Sequence, residues 1–379
     1  MTAERRSFFA TCAPGIEPVL HGEVRELGLA RSESQVGGVY FEGTLADARR
    51  ANLWLRTAVR VLMRVGRFEA RDAEELYAGV GAVDWSEYIG SEARLVVDAQ
   101  SNRSALEHTR FVEQRTKDAI VDQLRTRGGT RPSVDRDDAD LGVHVHLFRD
   151  RCTLSVDTSG RALHRRGWRR SQGEAPLAET LAAALVLMSG WDRRAPFLDP
   201  FCGSGTLAIE AALVATDTAP GLFREFGFER WRGHDARAFE REKQEARSRR
   251  SPIGKRTILG TDVDREQLSG ARANLAGAEL EGAVHFERAD AREFAPRAGW
   301  NGWVVSNLPY GKRVGGGGDL FELYRAFGDA LRERARGFTY GLLVPDEPVQ
   351  RELRLQRARS ESVVNGGIAC RFLTGRIDA

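Results

Sequence analysis

Two short runs of residues carry side chains and backbone shapes that could do chemistry. Residues 199–206 read Asp-Pro-Phe-Cys-Gly-Ser-Gly-Thr, and residues 306–311 read Ser-Asn-Leu-Pro-Tyr-Gly. A turn with two glycines suits a bound cofactor, although any tight strand-to-helix connection can also use one. An asparagine that leads into a proline-containing turn suits a clamp on an amino group. In this order, the two runs together predict methyl transfer to an exocyclic amine.

The first run predicts a cradle for S-adenosylmethionine. Gly203 and Gly205 let the backbone approach the cofactor, and the start of the following helix can receive the methionyl carboxylate. Thr206 either caps that helix or contacts the ligand. Nothing near Cys202 in the sequence would lower the pKa of its thiol, so we expect a packing residue and not a nucleophile. The predicted cofactor contacts in this turn are Asp199, Pro200, Cys202, Gly203, Ser204, Gly205 and Thr206.

Two further carboxylates could complete the cofactor site. Asp262 ends a predicted strand, and a carboxylate at that place can bind the two ribose hydroxyls. Its separation from the glycines exceeds the usual spacing of about 20 residues because a charged insertion intervenes. Asp264 is the competing candidate, or else the cap of the next helix. Asp290 could accept a hydrogen bond from the adenine amino group, or it could be a solvated turn carboxylate.

The second run predicts an amine clamp. The amine of a nucleobase is a poor nucleophile because its lone pair is delocalised into the ring. The side-chain oxygen of Asn307 and the backbone carbonyl of Leu308 can accept its two N–H groups, which aims the nitrogen at the methyl donor. Pro309 stiffens the turn, and Tyr310 offers a stacking face for an extruded base. This chemistry needs no metal and no strong base. The alternative interpretation is an ordinary strand-to-loop turn.

Length and composition set outer limits. The chain has 379 residues, 41% of them hydrophobic, which is enough for two or three domains with a large core. No apolar stretch approaches the roughly 18 residues of a membrane span, and no signal-type segment is visible, so we expect a cytoplasmic protein without a membrane partner. The four cysteines show no C-x-x-C spacing, and His144 and His146 fit a packed or solvated strand face. No metal is therefore assigned.

Basic residues could bind nucleic acid. The net charge is only +3, from 57 Lys and Arg against 54 Asp and Glu, so total charge does not argue for that partner. The densest basic stretch is 161–170, which contains Arg165, Arg166 and Arg169 around an aromatic residue. It could contact phosphates or serve as a solvated linker. An insertion at 217–256 has the pattern of an exposed, charged surface helix.

The apolar pattern predicts the elements that position these groups. Short strands and helices alternate before residue 165, as in small α+β modules. From about 175, strands alternate with longer helices, which predicts an α/β, doubly wound and mostly parallel sheet that binds ligands at the carboxyl ends of its strands. Glycines 315–318 predict a hinge or a slack connection. Predicted strands are 7–12, 38–41, 94–99, 142–148, 152–157, 195–199, 257–262, 283–286, 302–306 and 340–344, and predicted helices are 16–27, 46–55, 109–124, 176–188, 206–215, 265–276 and 320–334.

Beyond these patterns, the chain resembles the THUMP-domain guanine-N2 RNA methyltransferases, above all the bacterial 23S ribosomal RNA type. The resemblance rests on residues 163–169, 175–185, 199–210, 219–221 and 307–311, and for the THUMP region on 117–120, 131–132 and 157–160. It implies a ferredoxin-like domain over 1–65, a THUMP RNA-binding domain over 66–165, and a Rossmann-like class I methyltransferase domain with a seven-stranded sheet over 166–379.

The resemblance also implies roles for individual residues. Cofactor contacts fall on Asp199, Gly203, Gly205, Asp262 and Asp290, and target-amine contacts on Asn307, Leu308 and Tyr310. The implied partner is a structured RNA, with contacts assigned to Lys117, Arg165, Arg166 and Arg169. The implied cofactor is S-adenosylmethionine.

One departure from the family pattern is visible. The family usually has Asn-Pro-Pro-Tyr, whereas Leu308 takes the place of the first proline, so we expect a less rigid loop that keeps the backbone carbonyl. We favour N2-methylguanosine formation in 23S rRNA. The alternatives are a tRNA substrate, the N6 amine of adenine in DNA, and a non-catalytic RNA-binding assembly factor with a vestigial cofactor pocket.

Overall fold

The chain forms two compact units in the computed structural model, which describes residues 4–90, 92–126, 133–134, 138–171, 177–310, 317–345, 348–356 and 359–378. The first unit comprises Met1–Cys12, His21–Leu163 and Glu225–Gln244, and the second comprises Ala13–Leu20, His164–Arg224 and Glu245–Ala379. Residues 131–132 and 175–176, Gly311, Gly315 and Gly316, which belong to the predicted motifs and to the predicted hinge, lie outside the described residues. None of the described helices is long and apolar enough to cross a membrane.

An eight-stranded sheet forms the centre of the first unit, in the order β2-β3-β1-β4-β8-β7-β5-β6. Its strands are β1 (Arg6–Thr11), β2 (Ala30–Gln35), β3 (Gly38–Gly43), β4 (Arg60–Glu69), β5 (Arg94–Asn102), β6 (Ser133–Val134), β7 (Leu141–Phe148) and β8 (Arg151–Asp157). The helices between them along the chain are α1 (Glu17–Glu26), α2 (Leu45–Trp54), α3 (Ala73–Gly81) and α4 (Thr109–Thr126). In β7 every second side chain is buried, as expected for a strand with one covered face.

Strand β4 joins the two modules that the sequence predicts before residue 165. It pairs antiparallel with β1 on one side and with β8 on the other. The predicted boundary at residue 65 therefore falls inside a strand, and the two modules share one continuous sheet. The sequence pattern predicts no strand at Arg60–Glu69, so β4 is an addition to the predicted elements.

The second unit is built on a seven-stranded sheet in the order β11-β10-β9-β12-β13-β15-β14. Its strands are β9 (Phe197–Asp199), β10 (Ile258–Asp262), β11 (His285–Arg288), β12 (Trp303–Asn307), β13 (Thr339–Pro345), β14 (Arg359–Asn365) and β15 (Ile368–Arg376). The first five strands in this order are parallel, and β15 is antiparallel to both of its neighbours. The predicted doubly wound, mostly parallel sheet is confirmed.

Helices of the second unit are α5 (Glu179–Met188), α6 (Thr206–Ala215), α8 (Arg265–Gly277) and α9 (Gly317–Arg334), with α7 (Ala236–Ser248) divided between the units. All ten residues of α6 are buried, so this helix is covered on every side, and its one charged residue, Glu210, is buried with the rest. The predicted bounds of α6 are confirmed. The strand predicted at 283–286 lies two residues later, as β11. Strands β2 and β14 were missed because most of their side chains are exposed and polar, which leaves no apolar alternation to detect.

The insertion at 217–256 differs from its expected role as solvated surface. A charged helix is present as α7, but Glu225–Gln244 belongs to the first unit. Its aromatic side chains are buried there, with the rings of Phe226 and Phe228 stacked at 5.4 Å and those of Phe228 and Phe239 edge to face at 4.9 Å. The sequence did not predict this aromatic cluster because many charged residues lie around it along the chain.

Candidate active site

The predicted chemical groups meet where the strand order of the second sheet reverses. From the central strand β9, the chain proceeds to β10 on one side and later to β12 on the other. These three parallel strands end at Asp199, Asp262 and Asn307. Because β9 pairs with both of the others, the three side chains leave the same edge of the sheet. This edge is where an open α/β sheet binds its ligands.

Two glycines of the turn have positive φ angles, which residues with a side chain rarely adopt. Gly203 has φ +50° and Gly205 has φ +82°. A Cβ on Gly205 would lie 2.8 Å from Phe286 Cζ and 3.0 Å from Ala271 Cβ. Gly205 is also the N-cap of α6, and it supplies no side-chain cap for the first N–H groups of that helix. These donors at the start of a buried helix favour a negatively charged ligand group.

Thr206 is not the cap of α6, because it is the first residue of the helix and its Oγ1 accepts a hydrogen bond from Arg169 Nη2 at 2.9 Å. Arg169 also donates to Ser204 Oγ at 3.3 Å and forms an ion pair with Glu179 at 2.7 Å. The Arg169 side chain is 14% exposed, and its guanidinium supports the glycine turn. These contacts engage Arg169 within the protein, and the RNA contact assigned to Arg169 stays a prediction.

Asp262 connects the end of β10 to the glycine turn. Its Oδ2 accepts the backbone N–H of Gly203 at 2.9 Å, and its Oδ1 accepts the N–H of Asp264 at 3.0 Å. Asp264 caps α8 through the N–H groups of Glu266 and Gln267. The two candidates thus divide the tasks, since Asp264 acts as the helix cap and Asp262 lies beside the glycines.

Asp290 follows β11 at the same edge, where the N–H of Ala289 donates to the carbonyl of Asp262 at 3.2 Å. Its carboxylate caps a short 3-10 turn and forms an ion pair with Arg292 at 2.5 Å. The hydrogen bonds from Arg292 hold the pKa of Asp290 below its ordinary value, so the group is ionised at neutral pH. An adenine contact by Asp290 would share this carboxylate with the arginine.

Asp199 is buried, and the pKa of its carboxyl is shifted more than that of Asp290 at the same edge. Burial raises its pKa from an ordinary 3.8 to about 7, while hydrogen bonds from Ser306 and the Phe201 backbone oppose that rise. The Ser306 hydroxyl donates to Asp199 at 2.5 Å. Pro200 follows at the end of β9 and is buried as well. No role is predicted for Ser306 from the sequence, where its place beside Asn307 is the one signal for this contact.

Cys202 is 7% exposed, and burial raises the pKa of its thiol well above the ordinary value. Its backbone N–H donates to the carbonyl of Thr261 at 3.0 Å. A buried, protonated thiol is a weak nucleophile. The prediction that Cys202 packs and does not react is consistent with this environment.

Asn307 carries the feature most useful for chemistry. The residue is half-buried, and its side-chain Oδ1 is buried without a hydrogen-bond partner among the described residues. Leu308 next to it is fully buried, with its N–H donating to the carbonyl of Leu343 at 3.0 Å. The carbonyl of Pro309 accepts a hydrogen bond from Tyr324 at 3.2 Å. The turn after β12 is thus held by its neighbours while one acceptor stays unused.

Tyr310 differs from its expected role as an open stacking platform. Its side chain is 7% exposed, and Asn365 Nδ2 donates a hydrogen bond to its hydroxyl. A buried ring offers little surface to an extruded base. The hydrogen bond from Asn365, at the end of β14, fixes the position of the ring in the turn. Asn365 escaped sequence reasoning because it lies 55 residues away in a segment without a motif.

The basic stretch at 161–170 does not present all of its charges. Arg165 is exposed, but Arg166 is 2% exposed and its Nε forms an ion pair with Glu210 Oε1 at 3.1 Å. A buried guanidinium cannot reach a phosphate without leaving its carboxylate, so the predicted RNA contact by Arg166 is contradicted. In the first unit, the side chain of Lys117 is 25% exposed and lies 3.8 Å from Asp118.

Three family models match the chain. They are described as RlmL ferredoxin-like domain over residues 7–62, THUMP domain over 70–157, and RMKL-like, methyltransferase domain over 166–373. The resemblance stated from sequence is confirmed, as are the ferredoxin-like and THUMP domains at the N-terminal side. The domain boundaries at 65 and 165 stay predictions.

Individual relatives agree with these matches. A protein of Methylococcus capsulatus named "Ribosomal RNA large subunit methyltransferase K/L" is 43% identical over 374 residues, which cover 97% of this chain and 50% of that protein. The chain spans about half the length of this relative. A Synechocystis protein named "Putative RNA methyltransferase slr0064" is 36% identical over 98% of this chain and 97% of its own length.

Among solved structures, "SMU.472, a putative methyltransferase complexed with SAH" has a TM-score of 0.89 at 31% identity, with all of both chains covered. The methyltransferase model alone spans more than half of the sequence. The chain therefore belongs to the family of RMKL-like methyltransferases.

Proposed function

We propose that this chain is an S-adenosylmethionine-dependent RNA methyltransferase that forms N2-methylguanosine in 23S rRNA. The observation that carries the proposal is Asn307 Oδ1, a buried acceptor without a partner among the described residues, at the end of β12. An unused buried acceptor is costly unless a ligand satisfies it. An exocyclic amine supplies the donor that this oxygen lacks.

The residues of the glycine turn fit the proposed cofactor. Gly205 leaves no room for a Cβ and adds no cap to α6, so backbone N–H groups stay available to a carboxylate. Asp262 would bind the ribose hydroxyls, Asp290 the adenine amino group, and Asp199 a positively charged group. When bound, S-adenosylmethionine supplies an electrophilic methyl group on a sulfonium.

The turn after β12 would orient the acceptor nitrogen. One N–H of the guanine amine donates to Asn307 Oδ1 and the other to the Leu308 carbonyl, so the nitrogen is held with a fixed direction. Such positioning lowers the barrier by several kcal/mol, about 7 to 11 at best. The burial of Leu308 and the support of Pro309 by Tyr324 keep the two acceptors in place. Leu308 thus replaces the family's usual proline without loss of its carbonyl.

Three further observations support RNA, and the second of them supports 23S rRNA in particular. The match to the THUMP model covers residues 70–157, and the relatives at 40–43% identity carry a name that refers to the large ribosomal subunit RNA. In the second unit, the exposed side chain of Arg165 offers a phosphate contact that the buried Arg166 does not. We retain Arg165 and Lys117 as proposed RNA contacts.

The test combines substrate and product analysis. The purified chain is incubated with methyl-labelled S-adenosylmethionine and, separately, protein-free 23S rRNA, total tRNA and duplex DNA, and the products are digested to nucleosides. We expect label in N2-methylguanosine from 23S rRNA alone. Label from tRNA or in N6-methyladenine from DNA would replace the proposed substrate, and cofactor binding without any transfer would favour the assembly-factor alternative.

The matched variants address the clamp. Asn307→Ala removes the acceptor, and we expect kcat to fall by roughly 100-fold or more while the affinity for S-adenosylmethionine stays at the parent value. Asn365→Asp keeps a hydrogen-bonding group beside the Tyr310 hydroxyl, so it should keep most of kcat, and its kcat is compared with that of Asn307→Ala. An Asn307→Ala variant with parental kcat would refute the role assigned to this side chain.

A further inference from the structure

The second unit contains a cleft of about 280 Å³ that is separate from the candidate active site. Its walls come from the end of α9, from residues 354–356 and from the end of β15. Arg376, which lines it, pairs in register with Thr339, the first residue of β13. The cleft therefore lies at the amino ends of the parallel strands, whereas the active-site residues leave the carboxyl ends. A seven-residue strand such as β13 separates these two edges of the sheet by about 20 Å.

Arginine side chains dominate the lining of this cleft. Arg336, Arg354 and Arg376 are exposed there, and none of them forms an ion pair within the part of the chain that the structure describes. A fourth lining arginine, Arg332, pairs with an acid one turn earlier on α9. Asp378 is the only carboxylate among the described lining residues. The cleft thus gathers more positive charge than its own groups neutralise, which favours an anionic ligand.

Hydrogen bonds hold the segments that carry these arginines. Arg332 donates to the carbonyl of Leu353 at 2.6 Å, and the Tyr340 hydroxyl donates to the carbonyl of Gln356. The backbone of Ile377 forms two hydrogen bonds with the turn before β13, at 2.9 and 2.8 Å. The three walls are therefore fixed to one another and to the sheet. Guanidinium groups on a fixed frame lose less freedom when they bind a ligand.

The composition of the lining favours a sugar-phosphate group. Guanidinium N–H groups match the oxygens of a phosphate. No aromatic ring is among the described lining residues, so the cleft offers no stacking surface for a base. Gln356 and Asp378 line the same cleft, and their oxygens can accept the hydrogen of a ribose hydroxyl. A carboxylate repels a free phosphate dianion, whereas a phosphodiester has one charge and brings that hydroxyl with it.

We propose that this cleft binds the backbone of an RNA strand, with phosphate oxygens at Arg336, Arg354 and Arg376 and a ribose hydroxyl at Asp378. The contact reads no base, and it holds the RNA on the methyltransferase unit at the edge of the sheet opposite the reacting guanine. It therefore contributes to affinity and leaves the chemistry to the other edge. The identification of the ligand as RNA rests on the proposed function, whereas the charge and the frame of the cleft do not.

The test measures binding of transcribed 23S rRNA by the full chain over a series of salt concentrations, together with steady-state methyl transfer. The double variant Arg336→Ala, Arg376→Ala should weaken binding roughly tenfold and reduce the salt slope by about two. The KM for RNA should rise by a similar factor, while kcat and the affinity for S-adenosylmethionine stay parental. Arg334→Ala removes an exposed arginine that does not line the cleft, and this control should behave as the parent.

Competition with DNA of the same sequence tests the ribose contact. The parent should prefer RNA to DNA, and Asp378→Ala should narrow that preference because the carboxylate no longer accepts the 2′-hydroxyl. An unchanged preference would refute the ribose contact.

The remaining outcomes separate this site from the proposed function and from a free-anion site. Absent methyl transfer by the parent, with RNA binding that still depends on Arg336 and Arg376, would refute the proposed function and leave this inference standing. Parental RNA affinity and salt slope in the double variant would overturn the inference. Titration with inorganic phosphate covers the other source of the same chemistry. Saturable phosphate binding that the double variant abolishes, with RNA affinity unaffected, would identify a free-anion site and overturn the assignment to RNA.

Discussion

Ser306 donates a hydrogen bond of 2.5 Å from its Oγ to Oδ1 of Asp199, and both side chains are buried. The bond connects the end of β12 to the end of β9, the two neighbouring strands at which the strand order reverses. The same hydroxyl accepts the backbone N–H of Phe201 at 3.2 Å. One small side chain therefore fixes the carboxylate, the first residues of the glycine turn and the strand that carries Asn307.

The affinity for S-adenosylmethionine should depend on pH through Asp199. Burial raises the pKa of Asp199 to about 7, so the folded protein holds the proton up to neutral pH and the carboxylate forms only above it. Because the ionised form attracts a cationic group, affinity for S-adenosylmethionine should fall as pH drops through 7, by up to about tenfold per pH unit. Calorimetric titrations between pH 5.5 and about 8.5 measure this slope, and Asp199→Asn should abolish it.

Ser306→Ala should move the same transition to higher pH. The serine hydroxyl stabilises the ionised carboxylate, so its removal raises the pKa of Asp199 further above its ordinary value. The affinity measured at pH 7 should fall, and the affinity at the alkaline plateau should recover towards that of the parent. A midpoint identical to the parent's, or a loss of affinity that is equal at every pH, would contradict this role of Ser306.

The glycine turn offers a prediction with an internal control. Gly205→Ala combines φ +82° with a Cβ 2.8 Å from Phe286, whereas Gly282→Ala places a Cβ at φ +80° with no heavy atom within 4 Å. The control should lose only the backbone cost of about 1–2 kcal/mol. Gly205→Ala should lose about 2–4 kcal/mol of the free energy of unfolding and most of its cofactor affinity. Urea denaturation measures the first quantity, and equal losses in both variants would rule out the steric explanation.

Much of the second unit could be predicted because its signals are local. The bounds of α6 and the positions of Asp199, Asp262 and Asn307 follow from short motifs at strand ends. The pairing of Arg169 with Thr206, 37 residues away, could not, because no pattern in either segment marks the other. Arg166 shows the same limit, since a basic run predicts exposure of every member while packing selects one for burial.

Asn365 should act as a positioning residue for the turn after β12. Its amide donates to the Tyr310 hydroxyl, so Asn365→Ala removes the hydrogen bond that holds this buried ring from behind. We expect kcat to fall by roughly tenfold with a smaller change in KM for RNA. Asn365→Asp can accept a hydrogen bond from the same hydroxyl and should restore most of kcat. A loss in Asn365→Asp as large as that in Asn365→Ala would argue against the hydrogen bond as the cause.

The buried ion pair between Arg166 and Glu210 predicts a strongly non-additive stability cycle. Either Arg166→Met or Glu210→Leu alone leaves a charge buried at a site that is 2% or less exposed, and should cost about 3–5 kcal/mol. The double variant removes both charges and should recover most of that loss, whereas the exposed Arg165→Met should stay within about 0.5 kcal/mol of the parent. Urea denaturation of the four variants gives the coupling, and additive losses would show that the pair does not act as a unit. The same cycle separates stability from RNA binding, because Arg165→Met should weaken RNA binding at unchanged stability while the double variant should change neither by much.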